Sequence, residues 1–131
     1  MRRRDQRRAA VFAVYQFEVT GSPVEELLEE GSTAWTIALS KAAQANAPVL
    51  DATIDRLASG WSIDRIAPLE KAILRVAILE ITLPEAIAHG EPIPPEGAVN
   101  EAVETAKQFC GTDAPGFVNG ILGTVIEEAR A

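Results

Sequence analysis

Five arginines fall within the first eight positions, Arg2, Arg3, Arg4, Arg7 and Arg8, and Tyr15 follows two helical turns after the last of them. Guanidinium groups pair with phosphate bidentately and stack on bases, and an exposed aromatic ring gives an unstacked base a platform, so this combination suits single-stranded RNA. The rest of the chain opposes it. Five Arg and one Asp give the first eight residues +4, whereas the 131-residue chain carries a formal −7, which leaves −11 on the remaining 123. A polyanion is therefore attracted at one tip and repelled elsewhere. On these residues alone a helical protein-interaction domain stays open, because basic starts are common and a single tyrosine often belongs to a core.

Other chemistry is sparse. His89 has no Cys or second His at metal-ligand spacing, and the glycines sit at chain punctuation points rather than in a phosphate-binding loop. Adjacent carboxylates such as Glu29-Glu30 and Glu127-Glu128 read as solvated surface, and Cys110 lies on an apolar stripe as an inert thiol. Neither a catalytic constellation nor a cofactor is expected. No apolar run approaches the roughly 20 residues of a membrane span, which points to a cytoplasmic protein with no membrane partner.

The elements that must carry the arginines are helical. Apolar residues recur with a helical period throughout, which predicts an all-α, compact bundle of about seven helices occupying 1–131 as one domain. The first helix is expected from Arg3 to Val19 with Gly21 as its C-cap, and a second from Pro23 to Glu30 with Ser22 opening a capping box. Ala47-Pro48 divides the next stretch into two helices, the first burying Trp35, Leu39 and either Ile37 or Ala38, the second Leu50, Ile54 and Leu57. Trp61 to Ile66 reads as a turn. Pro68 then opens a long central helix to Leu83, apolar on two sides, with Glu80 near one stripe and in need of a basic partner or an exposed edge. Pro84 to Gly97 reads as a loop. A helix from Ala98 to Cys110 buries Phe109 and Cys110, and a last helix capped by Asp113 buries Phe117, Ile121, Leu122 and Val125. Arg4, Arg7 and Arg8 project onto the same side of the first helix as Val11, Val14 and Tyr15, so its first turns are expected to overhang the bundle.

Three segments read together carry a resemblance. They are the arginine cluster with Ala9-Ala10-Val11-Phe12-Ala13-Val14-Tyr15, the run Glu70 to Ile81, and Val99-Asn100-Glu101-Ala102-Val103 through Phe117-Val118-Asn119-Gly120-Ile121-Leu122. In order and spacing the chain resembles the NusB family of transcription antitermination factors. The resemblance implies two three-helix subdomains packed across each other, no enzymatic activity, and binding of boxA RNA together with NusE, a small-subunit ribosomal protein, in the transcription elongation complex. It implies RNA contacts at Arg3, Arg4, Arg7, Arg8, Tyr15, Asp113, Phe117 and Asn119, with Glu70, Arg75 and Glu80 facing the partner. For Asn119, a structural tie of the last helix to the bundle is the expected role of the amide, ahead of a base contact. Leu79 and Gly116 depart from residues common in the family, tyrosine and a basic side chain respectively, and the proline-rich loop is long for it. Two other functions stay open: an accessory RNA-binding module of an RNA methyltransferase system, and a helical homodimer or larger scaffold without RNA.

Overall fold

The first helix, α1, spans Arg3–Thr20 and stops where Gly21 turns left-handed at φ 77°, its N–H donating to Phe17 O. The computed structural model describes residues 2–131, and those residues form helices, turns and loops without a strand. Six further helices follow: α2 (Val24–Leu27), α3 (Ala34–Ala45), α4 (Ala47–Leu57), α5 (Pro68–Thr82), α6 (Pro95–Phe109) and α7 (Ala114–Arg130). Short 3-10 turns occupy Ile63–Arg65 and Pro84–Ala86.

Two boundaries differ from the sequence expectation. α2 is a single turn: the capping box at Ser22 does not form, Pro23 takes the N-cap position with the Val24 N–H donating to Gln44 Oε1 on α3 at 2.8 Å, and the helix ends where Leu28 turns extended at φ −74°, ψ 141°. α6 begins three residues early, at Pro95, since proline's missing N–H is no loss in a first helical turn. Elsewhere the local chemistry agrees. Thr33 caps α3 by accepting from the Thr36 N–H, and the single joint Asn46 separates α3 from α4 while its N–H and its Nδ2 both donate to Ala42 O.

α5 lies at the centre. Every residue from Lys71 to Ile81 is buried, and α5 touches α1, α3, α4, α6 and α7. One group of helices, α1 to α3, packs across a second, α5 to α7, with α4 joining them. The apolar core runs from Ala10, Val11 and Val14 through Leu39, Leu50 and Ile54 to Leu74, Ile78, Val118 and Leu122. Burial of aliphatic side chains at roughly 1.5–3 kcal/mol each is what holds these helices, few of which are long enough to persist alone. Ile37 points out of this core, and Leu57 is only half-buried.

The proline-rich segment between α5 and α6 covers Trp35. Gly90 adopts φ 82°, and a Cβ built on it would stand 2.5 Å from Trp35 Cδ1 and 2.9 Å from Nε1. Trp35 is left 6% exposed. Gly90→Ala combines a left-handed backbone with this collision and is expected to cost about 2 kcal/mol or more. Gly21→Ala, at a similar φ but with open space around it, carries only the backbone cost of about 1 kcal/mol. Urea unfolding of the two variants measures the difference.

Candidate nucleic-acid interface

The helical pitch of α1 sorts its arginines into two rows. Arg3 and Arg7 turn toward α3 and α5, whereas Arg4, Arg8 and Phe12 turn toward α6, with Tyr15 on the same side of α1 by helical pitch. The Arg3 guanidinium lies 4.1 Å from the Trp35 ring centroid and forms no ion pair among the described residues, its charge acting on Glu80 from a distance. Arg7 stands 5.1 Å from the same ring. It is only 7% exposed, and it holds Glu80 with two parallel bonds, Nε to Oε1 and Nη2 to Oε2, each 3.0 Å. Burial pushes the Glu80 carboxyl up, and the Arg7 hydrogen bonds oppose that shift.

This corrects the expected overhang. The first turns of α1 are part of the bundle, and Arg7, expected at an RNA edge, supplies inside it the basic partner that Glu80 needs, so the two neutralise each other and Glu80 is not at a partner surface. Arg75 is likewise withdrawn. It donates from Nε and Nη2 to Asp51 at 2.6 and 2.8 Å and sits 2.9 Å from Glu18, tying α5 to α4 and α1. Lys71 closes the network on Glu18 at 2.9 Å.

The second row lies along an exposed seam between α1 and α6. Arg4 pairs with Glu101 at 3.2 Å, with the Arg4 side chain 47% exposed. Further along, Arg8 stands over Phe109 at 5.6 Å, and Phe12 meets Phe109 edge-on, centroids 5.1 Å apart. Phe109 is 42% exposed rather than buried, because it is the last residue of α6 and rolls outward where the helix ends. The Arg8 Nε has no hydrogen-bond partner among the described residues. Tyr15 continues this row, half-buried against the core, and its hydroxyl has no partner in the same set.

Past the seam, Asp113 and Phe117 line a depression of about 360 Å³ with Glu70, Trp61 and Arg65. Because α1 and α5 are antiparallel, with Arg7 on Glu80 and Glu18 on Lys71, Glu70 lies near the C-terminal end of α1. The arginine tip is then about 20 Å away at 1.5 Å rise per residue. The residues expected to meet RNA and the one remaining partner residue on the surface thus fall at two stations joined by the Arg8, Phe109 and Tyr15 seam. Asp113 occupies the N-cap position of α7 without a side-chain cap bond. Asn119 is exposed and ties nothing, contrary to its expected structural role.

Sequence reasoning missed Trp35 as the bearing surface for arginine, Phe109 as an exposed ring, and Trp61, which is 55% exposed beside Glu70. Cys110 is half-buried, and burial chiefly holds its thiol above the ordinary range, as befits an unreactive sulfur. The described residues hold no cluster of His, Cys, Asp or Glu able to bind a metal ion, and no helix long and apolar enough to cross a membrane.

Glu80→Ala strands a buried guanidinium and is expected to cost about 3–5 kcal/mol, whereas Arg7→Met with Glu80→Leu recovers most of that loss; denaturant unfolding of both variants checks it. Glu18 supplies a pH test. The hydrogen bond from Lys71, with help from Arg75 and against burial, holds its carboxyl below the ordinary 4.5. The stability gained is complete above the unfolded-state pKa and lost as pH falls through the depressed value, so the advantage over Glu18→Gln in urea midpoint should be full above about pH 5 and shrink toward pH 3.

The NusB family model matches residues 4–127. Transcription antitermination protein NusB of Rubrobacter xylanophilus is 38% identical over 93% of this chain and 88% of its own length. T. maritima NusB superposes with a TM-score of 0.83 at 26% identity, covering 98% of this chain and 92% of that one. A chain from the crystal structure of antitermination factors NusB and NusE in complex with dsRNA shares the fold, with a TM-score of 0.79 at 21% identity over 96% of each chain. With its arginine-tipped first helix, buried central helix and C-terminal helical pair, the chain belongs to the NusB family.

Proposed function

We propose that this chain is a transcription antitermination factor that holds boxA-type single-stranded RNA along the α1–α6 seam and acts jointly with NusE. The carrying observation is the row of Arg4, Arg8 and Tyr15 with exposed Phe109 beside it, on a chain whose other surfaces are predominantly acidic. Guanidinium groups meet phosphates, and the aromatic edge receives bases splayed from a single strand. Family membership supports the role, and a chain of the same fold in the crystal structure of NusB and NusE in complex with dsRNA supports RNA binding together with NusE.

Arg3 and Arg4 form the outer phosphate contacts and Asp113, Phe117 and Asn119 the far station, with Tyr15 between them. Arg7 contributes indirectly by fixing the ring on which Arg3 rests. Glu70 is the partner residue that remains on the surface, in the depression shared with Phe117. RNA and NusE would then occupy adjoining surfaces, each covering part of the other's boundary. The chemistry is recruitment to the cytoplasmic elongation complex, with no bond made or broken by this chain.

The test is fluorescence anisotropy with boxA RNA and a scrambled control, with and without NusE. Arg4→Ala and Arg8→Ala should each weaken boxA binding about tenfold, and each should reduce the slope of log K against log salt by about 0.7. Their thermal midpoints should stay near that of the parent, while Arg7→Ala should lower its own midpoint sharply. Equal affinity for the scrambled RNA, or binding indifferent to salt, would overturn the reading.

A further inference from the structure

A groove of about 350 Å³ lies between α1 and the connection from α2 to α3, outside the seam and the Glu70 depression. Ala9 and Ala13, one helical turn apart, leave a notch in the surface of α1, and Phe12 and Leu28 wall it. The rim is acidic. Glu29 and Glu30 are exposed at its mouth, and Glu25 and Glu26 are exposed on the preceding turn. None of the four forms an ion pair among the described residues, whereas Glu18, Asp51, Glu80, Glu96, Glu101 and Glu128 each have an Arg or Lys partner. The connecting turn is held in shape, since the Ser32 N–H and hydroxyl both donate to Glu29 O.

We propose that this groove docks a basic, amphipathic segment of a protein partner. Its apolar side chains would seat on Ala9 and Ala13 between Phe12 and Leu28, and its lysines or arginines would reach the unpaired carboxylates at the rim. Charge complementarity identifies the occupant: an apolar wall of Ala9, Phe12, Ala13, Leu27 and Leu28, with polar Gln16, Ser32 and Thr33 beside it and unpaired Glu29 and Glu30 at the mouth, attracts a cationic amphipathic peptide and repels RNA phosphates. The inference stands independently of RNA binding. Phe12 separates the groove from Phe109, so the segment would lie beside the seam without covering it.

The test uses the full chain labelled with nitrogen-15 and three synthetic probes: a Leu/Lys amphipathic peptide, its Leu/Glu counterpart, and oligolysine. The Leu/Lys peptide should perturb the amides of Ala9, Ala13 and Leu28 in preference to the other two probes. Glu29→Lys with Glu30→Lys, both exposed positions, should weaken it about tenfold or more while leaving the thermal midpoint near that of the parent. Equal effects from oligolysine or the Leu/Glu peptide, perturbations only outside the groove, or no binding would each overturn the proposal.

Discussion

Arg7 and Glu80 sit where α1, α3 and α5 converge, and the arrangement of the arginine-bearing end follows from their pairing. A guanidinium and a carboxylate buried together are tolerable only when each satisfies the other, so the pair fixes the register of α1 along α5. Trp35 is held in place beside Arg7, and Gly90 closes over it because no side chain is there to obstruct the approach. Arg3 then finds a preformed aromatic surface. One ion pair thereby sets where the remaining arginines emerge.

A second polar assembly anchors the opposite end of α5. Glu18, Lys71, Arg75 and Asp51 join three helices at a point where apolar packing alone would leave their relative rotation loosely defined. Between these two anchors α5 is apolar, and the helices around it are kept in line by side-chain volume. The seam is therefore carried by a frame pinned at both ends, which holds the exposed Arg4 and Phe109 and the half-buried Arg8 in place.

Much of this frame was legible because helical periodicity, proline and glycine act locally. The ends of α1, the joint between α3 and α4, and the central place of α5 all follow from such signals. The roles of the arginines were not, because they depend on what stands opposite. Projection at 100° per residue places Arg7 on the core stripe of the first helix and Glu80 near a stripe of the central one, charges that each need a partner or an edge. Only the fold brings residues 73 positions apart into a bidentate pair. Phe109 failed for a related reason: periodicity assigns a face to a helical residue but cannot tell that the helix ends there. The missing capping box of α2 reflects competition, since a glutamine from α3 supplies the acceptor that Ser22 was expected to provide.

Arg4 does not wait for a ligand with an empty guanidinium. Its bond to Glu101 is exposed and worth at most about 1 kcal/mol, so in the proposed RNA complex a phosphate would trade places with a carboxylate instead of merely displacing loosely held ions. On that proposal Glu101 would act as a resident mimic of the phosphate group. Anions that offer charge alone gain little from that exchange, and a strand that also stacks on the neighbouring rings gains more. Discrimination at this tip would therefore begin with an internal competitor, before any base is read.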